Sequence, residues 1–207
     1  MKSFFAEKWN QGVDYNTFLE QMKGWVDTQS TSGPVQNEAL AAFTKLNYSR
    51  LKKWNRITKI NEETTSFFQS QQGEYKWLMI IEAWCGDVAQ NIATINQLAE
   101  LGGIPFKMIY RDEHLDLMDQ FLTNGGRAIP KLILFDGDLE NVLAEWGPRP
   151  ANAQQLMIDY KANPEAYSGD VKEDIHRWYA VNKQQDLQRE IMTLMKNVKQ
   201  SADIPVN

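Results

Sequence analysis

Cysteine is nearly absent from this sequence, which has one, Cys85, among 207 residues. A single thiol excludes a disulfide within the chain and a structural zinc site built from several cysteines. Histidine is scarce too, since only His114 and His176 occur, far apart and without cysteines or a carboxylate cluster at ligand spacing. We therefore expect no metal site, and any sulfur chemistry of this chain has to use Cys85.

The sequence also lacks an excess of basic residues and a long apolar run. Its 22 Lys and Arg stand against 27 Asp and Glu, a formal net charge of −5, which argues against nucleic acid as the main partner because phosphate binding needs a basic surface. The longest apolar stretch, residues 77–81, is too short to span a bilayer, and no apolar segment of signal-peptide length lies at the start. These absences predict a cytoplasmic protein that binds neither nucleic acid nor a membrane.

Aromatic residues are plentiful, with seven Trp, seven Tyr and nine Phe, so the chain has enough apolar surface to fold.

The first seventy or so residues show helical periodicity. Asp14 is placed to cap a helix that Ser32-Gly33-Pro34 terminates, a longer helical segment covers Leu40 to Ile60, and a short one runs from Glu62 towards Gly73. From about Asp170 onward, the apolar spacing predicts one long helix or two in tandem.

Between these helical regions, strands alternate with helices. The strands are predicted at 77–84, 104–110, 131–135 and 139–146, and the helices at 86–101, 114–122 and 151–162. The order is β-α-β-α-β-β-α. Two successive β-α-β steps require parallel strands, and a hairpin turn at 136–138 then adds an antiparallel edge strand. We predict an α/β fold with a central mixed four-stranded sheet. The sheet belongs to a core domain at 74–166, and helical extensions occupy 1–73 and 167–207.

Cys85 lies where the first core strand meets the first core helix. Unpaired N–H groups and the positive end of the helix dipole favour the thiolate there, and the thiolate is the reactive form. The carboxyl edge of a parallel sheet is also where α/β proteins form their sites. A buried cysteine that only fills space is the alternative interpretation, but this position favours a reactive thiol.

Two segments resemble the signatures of the thioredoxin superfamily. Residues 82–87, Glu-Ala-Trp-Cys-Gly-Asp, are similar to its active-site turn, where Trp-Cys-Gly-Pro-Cys follows the first strand. Residues 128–135, Ala-Ile-Pro-Lys-Leu-Ile-Leu-Phe, are similar to its cis-proline strand. The similarity covers roughly residues 74–163, and bacterial thioredoxin-like proteins of poorly defined function have turns that look like this one.

The resemblance implies a thioredoxin-like fold and a specific site. Cys85 would be the nucleophile and Trp84 a wall of the site, in the turn that Gly86 and Asp87 continue. Pro130 would be cis and lie against the thiol, and the backbone of Ile129 would be free to pair with an extended substrate.

The departures from the superfamily pattern change the predicted mechanism. Its second, resolving cysteine falls on Val88, so the dithiol–disulfide cycle is excluded. Its turn proline is replaced by Asp87, whose carboxylate would oppose a thiolate unless it capped the helix. The buried acid that transfers protons in the superfamily falls near Met79, which cannot do this. Glu82 is close in sequence, but strand alternation places it on the opposite face of the strand from Met79. The chain is therefore not a thioredoxin in mechanism.

Arg127 precedes the cis-proline segment and completes the predicted site. Its guanidinium could stabilise a thiolate or hold the carboxylate of a small thiol such as glutathione. In the alternative interpretation, Arg127 is an ordinary solvent-exposed arginine in the loop after Gly125-Gly126. This arrangement is at least as common as an arginine that takes part in a site.

Two functions remain open. In the first, Cys85 is a monothiol that reacts with a mixed disulfide or a sulfenic acid, and an external thiol, glutathione or a similar small molecule, resolves the product without a bound cofactor. In the second, the protein is a redox-inactive binding module for an extended peptide or a small ligand. The oligomeric state is also open, because an apolar stripe at 191–198 would suit a dimer but more often packs on its own domain.

Overall fold

The computed structural model describes residues 3–71 and 74–202. Residues 1–2, 72–73 and 203–207, which include the predicted helix end at Gly73 and the ends of both predicted extensions, lie outside the described residues. The strands are β1 (Tyr75–Ile81), β2 (Phe106–Tyr110), β3 (Lys131–Asp136) and β4 (Val142–Trp146). The helices are α1 (Phe4–Gln11), α2 (Tyr15–Asp27), α3 (Glu38–Ile57), α4 (Glu62–Gln69), α5 (Gly86–Leu101), α6 (Leu115–Met118), α7 (Ala151–Ala162), α8 (Val171–Asn182) and α9 (Gln185–Ala202), with a 3-10 turn at Arg111–Glu113.

The strands form one mixed sheet in the order β2-β1-β3-β4. β1 pairs parallel with β2, β3 pairs antiparallel with β1, and β4 pairs antiparallel with β3. Residues 77–81 and 132–135 are all 0% exposed, so both faces of the two central strands are covered. The predicted α/β class and mixed four-stranded sheet with added helices are confirmed.

The direction of β3 differs from the sequence-based prediction, which made the first three strands parallel. The predicted helix at 114–122 shrinks to α6, Leu115–Met118. At about 1.5 Å per residue, four helical residues are too short to cross the length of a sheet. The chain therefore stays at the edge where β1 and β2 end, and β3 starts there, with Lys131 opposite Ile80.

The helices α2 and α3 begin at local caps, of which the sequence predicts Asp14. Asp14 Oδ1 accepts from the N–H of Thr17 at 2.8 Å and caps α2, and Asn37 caps α3 in the same way. α3 packs against α5, and the ring of Phe5 of α1 contacts that of Phe135 of β3 in a tilted arrangement, with ring centres 5.0 Å apart. These helices therefore cover the sheet and its first helix.

The C-terminal region forms the tandem arrangement, α8 followed by α9. Lys183 and Gln184 join the two helices with φ of 50° and 68°. The apolar stripe of α9 is buried within the chain, because Ile191 and Met195 are 0% exposed. In the part of the chain that the structure describes, no helix has the length and apolar character needed to cross a membrane.

Candidate functional site

Cys85 and the proline segment meet at one edge of the sheet. Cys85 is the N-cap residue of α5, and no side-chain hydrogen bond caps this helix. The peptide bond between Ile129 and Pro130 is cis. The Cys85 thiol donates to the Ile129 carbonyl oxygen, with Sγ and O 3.4 Å apart. The carbonyl of Ile129 therefore accepts a hydrogen bond from the thiol, and pairing of the Ile129 backbone with an extended substrate stays a prediction.

Burial dominates the protonation of this thiol. Cys85 is 8% exposed. Burial raises the pKa of its thiol to about 12, and the negative charge of Asp87 acts in the same direction. Backbone N–H groups of Val88 and Asp87 and the charge of Arg149 oppose this rise but do not offset it. The expectation that the helix start lowers this pKa is therefore wrong, because desolvation penalises the charged form more strongly than the helix start favours it.

Asp87 pairs with an arginine instead of capping α5. Its carboxylate lies 2.7 Å from an Nη of Arg149, and both side chains are largely buried. The hydroxyl of Tyr179 donates to the same carboxylate at 3.1 Å. Burial raises the pKa of Asp87, and the charge of Arg149 partly counteracts it. An ion pair between the turn and the loop after β4 therefore flanks the thiol.

Arg149 was not predicted from the sequence. Because β4 runs antiparallel to β3, its last residue, Trp146, lies opposite Leu132 near the start of β3. The chain after β4 is therefore at the same edge as Cys85. Arg149 lies three residues after the end of β4, and a basic residue at this position could have been recognised as part of the site. This would have required knowing the direction of β3.

The structure does not bring the predicted Arg127 to the thiol. Its guanidinium forms two hydrogen bonds with the carboxylate of Asp119, at 2.6 and 2.8 Å, and both side chains are 47% exposed. Another arginine, Arg111, lies over the ring of Trp84, 4.9 Å from its centre. Trp84 is partly exposed and precedes Cys85 in the chain, and its role as a wall of the site stays a prediction.

The N-terminal region holds the backbone just before the cysteine. Ser32 Oγ accepts from the N–H of Ala83 at 2.8 Å, and Asn47 Nδ2 donates to the Ala83 carbonyl at 3.1 Å. Ser32 also donates to the buried carboxylate of Glu82, which accepts from the N–H of Asp112 at 2.9 Å. Burial raises the pKa of Glu82. The sequence offered no local signal for Ser32 or Asn47, because these contacts span 36 residues or more.

Two further basic side chains face Gly86. A Cβ at Gly86 would lie 3.5 Å from Nη1 of Arg50 and 3.5 Å from Cε1 of His176. Arg50 comes from α3 and donates to Asn47 Oδ1 at 3.1 Å. His176 comes from α8, and its Nδ1 lies 3.2 Å from Nε2 of Gln90. Both extensions therefore contribute to the surroundings of the turn.

The histidines have separate local partners. His114 Nδ1 lies 3.4 Å from the Nζ of Lys8, on the side of the molecule that α1 covers. Within residues 3–71 and 74–202, no group of three His, Cys, Asp or Glu side chains is arranged to hold a metal ion. The expected lack of a metal site stays a prediction for the whole chain.

Two solved structures match nearly the whole chain. One is a crystal structure of a protein of unknown function from Pseudomonas aeruginosa, with a TM-score of 0.59 and 19% identity, covering 95% of this chain and 99% of that one. The other is a crystal structure of an HIV epitope scaffold, with a TM-score of 0.59 and 19% identity, covering 94% and 99%. At this identity the likeness shows the fold alone. No curated protein matches the chain.

A family model described as Thioredoxin matches residues 33–161, more than half of the chain. The match includes α3 and α4 together with the sheet, so it starts well before the core boundary at 74 that the sequence suggests. The division into 1–73, 74–166 and 167–207 stays a prediction. With the thiol at the start of α5, the proline segment against it and this match over the whole sheet, the chain belongs to the thioredoxin family.

Proposed function

We propose that this protein is a monothiol thiol–disulfide oxidoreductase that acts through Cys85 with an external thiol as its resolving partner. The observation that supports this function is the position of the thiol, at the start of α5 and against the Ile129 carbonyl beside Pro130. Val88 replaces a resolving cysteine and is 2% exposed. The second thiol therefore has to come from another molecule.

The reaction consists of two exchange steps. The thiolate of Cys85 attacks a disulfide RS–SR′, a bond forms between Cys85 Sγ and one sulfur, and R′S⁻ leaves. An external thiolate then attacks the R sulfur of this mixed disulfide, and the Cys85 thiolate leaves. The electrons come from the external thiol, so the protein needs no bound cofactor. A small thiol such as glutathione suits this role, in a reducing compartment such as the cytoplasm.

The thiol has to lose its proton before it attacks. With a pKa of about 12, the thiolate is a minor form at neutral pH. Asp87 is placed to control this step because its carboxylate opposes the thiolate and its own pKa is raised by burial. When Asp87 is protonated, the opposing charge disappears and the charge of Arg149 acts on the sulfur. Removing the carboxylate charge of Asp87 would therefore lower the pKa of the Cys85 thiol.

The test is formation and release of a mixed disulfide. We expect the protein incubated with glutathione disulfide to gain one glutathione on Cys85, observed by mass spectrometry of the intact chain, and excess reduced glutathione to remove it. Cys85→Ser should gain none. If the folded protein gains no adduct over the range from pH 7 to 10, the proposed activity is wrong.

The second candidate is a redox-inactive binding module for an extended peptide or a small ligand. The burial of Cys85 favours it, since a protonated, 8% exposed thiol can serve as a packing and hydrogen-bonding group. In that case Cys85→Ser preserves the function of the protein in cells, whereas the monothiol activity requires its loss.

A further inference from the structure

Basic side chains from both extensions converge on the first residue of α5. Arg50 of α3 and His176 of α8 each lie 3.5 Å from the position of a Cβ at Gly86, the residue that follows Cys85. Glycine leaves the space between these two side chains open. Arg50 and His176 therefore lie beside the turn, one residue after Cys85 in the chain.

The charges of this cluster do not cancel. Arg149 is neutralised by Asp87 in their 2.7 Å ion pair. Arg50 forms none of the ion pairs found among residues 3–71 and 74–202, and it donates instead to the neutral amide of Asn47. Burial and the charge of Arg50 lower the pKa of His176, while the charge of Asp170 acts in the opposite direction. One positive charge is therefore left over beside the turn.

This excess charge is costly unless an anion offsets it. Arg50 is only partly exposed, and burial lowers the pKa of its guanidinium, which shows incomplete solvation of the charged form. Asp87 favours the charged form of Arg50 but is already paired with Arg149. A planar guanidinium with free donors is suited to a carboxylate, which can accept two hydrogen bonds from it.

We infer that the partner of Cys85 is a low-molecular-weight disulfide or thiol with a carboxylate close to its sulfur, and that Arg50 binds this carboxylate. The inference rests on the proposed monothiol activity, and it assigns to Arg50 the role that the sequence suggested for Arg127. Arg127 is engaged with Asp119, whereas Arg50 faces the residue next to the thiol.

The experiment compares three symmetric disulfides of similar size: dithiodipropionate, which is anionic, hydroxyethyl disulfide, which is neutral, and cystamine, which is cationic. The rate of mixed-disulfide formation on Cys85 is followed by mass spectrometry, and each rate is divided by that of free cysteine with the same reagent. We expect the normalised rate to be highest for the anion and lowest for the cation. Added salt should reduce this preference, because it screens a partly exposed charge.

Variants identify the arginine responsible. Arg50→Gln should lower the ratio of anionic to neutral rates by about fivefold, the upper range for a partly exposed ion pair, and Arg50→Lys should retain part of it. Arg56→Gln, on the same helix but exposed, is the matched control and should leave the ratio unchanged.

The outcomes separate the two proposals. If no disulfide reacts with Cys85, the monothiol activity fails and this inference fails with it. If all three react with equal normalised rates, or if Arg127→Gln abolishes the preference while Arg50→Gln does not, the activity stands and the role of Arg50 is wrong. If Arg50→Gln does not fold, Arg50→Lys decides the matter, because a ratio equal to that of the wild type would contradict a carboxylate held by two hydrogen bonds from the Arg50 guanidinium.

Discussion

Two opposing effects act on the sulfur of Cys85. The start of α5 presents backbone N–H groups that favour a thiolate, whereas burial and the Asp87 carboxylate favour the thiol. Burial and the carboxylate together have the stronger effect, so the pKa of the thiol is raised. A difference of one in pKa corresponds to about 1.4 kcal/mol, so the state of this single residue depends on which neighbours are charged. Asp87 is the charged neighbour that opposes the thiolate, and burial raises its own pKa.

This balance predicts how the reactivity of Cys85 depends on pH. Because only the thiolate reacts, the rate of alkylation by iodoacetamide should rise about tenfold for each step of one in pH and continue to rise beyond pH 9, whereas that of free cysteine levels off above its pKa of about 8.5. Asp87→Asn, which mimics the protonated carboxyl, should lower the thiol pKa. Alkylation of this variant at pH 8 should be faster than that of the wild type, by about tenfold if the thiol pKa falls by one.

Asp138→Asn is the control for this measurement. Asp138 is exposed in the loop after β3, at the opposite end of the sheet, so its charge is screened from the thiol. A wild-type rate that levels off near pH 8.5, or an Asp87→Asn rate equal to that of Asp138→Asn, would contradict the assignment of Asp87.

At the scale of elements, the segment between α2 and α3 and helix α3 support the cysteine turn. Ser32 and Asn47 bind the two sides of Ala83, at its N–H and its carbonyl. Ala83 lies between the end of β1 and the start of α5, where the backbone has no strand or helix partner of its own. The N-terminal region therefore satisfies polar groups that the core leaves unpaired.

Ser32→Ala tests this support. The substitution removes the acceptor of the Ala83 N–H and the donor to the Glu82 carboxylate, both buried. An unsatisfied buried group costs about 1–3 kcal/mol, and we expect a loss of that size in the free energy of unfolding measured with urea. Ser49→Ala, at an exposed position of α3, should change it by less than about 0.5 kcal/mol. Equal effects of the two substitutions would refute the supporting role of Ser32.

The elements also show what local sequence patterns can predict. Asp14 was identified as the cap of α2 because capping depends on residues within one turn. The helix predicted at 114–122 was too long, because Phe121 and Leu122 continue an apolar pattern whose backbone is not helical. Thr123 and Gly126 instead bond to each other across a tight loop. Apolar spacing records burial, and burial does not require a helix.

At the scale of the whole molecule, the C-terminal helices reach back to the site. Tyr179 of α8 is 1% exposed, donates to the Asp87 carboxylate and accepts from Asn91 Nδ2 at 2.9 Å. These bonds link residues that are 88 and 92 positions apart. The core and the C-terminal helices therefore share a buried polar network beside the cysteine turn, which the N-terminal helices support from the other side.

Tyr179→Phe measures this link. Loss of the hydroxyl leaves the Asn91 amide without one acceptor and Asp87 without one donor, so we expect a loss of about 1–3 kcal/mol in the free energy of unfolding. Tyr167→Phe, whose hydroxyl binds Asp174 near the surface, is the control with a smaller expected loss. If the two variants are equally stable in urea, α8 does not stabilise the site through this hydroxyl.

The sequence by itself determined the properties that depend on residue type and local order: one thiol at a strand–helix junction, Val88 in place of a second cysteine, the mixed α/β pattern and the cap of α2 at Asp14. Only the tertiary structure decided the direction of β3, which explains physically why Pro130 lies at the same edge as Cys85, as the resemblance implied. It also decided the pairing of Asp87 with Arg149 and the position of Arg50 beside Gly86. The protonation of the thiol follows from these distant neighbours, because burial and charge depend on what the fold brings close and not on what is adjacent in the chain.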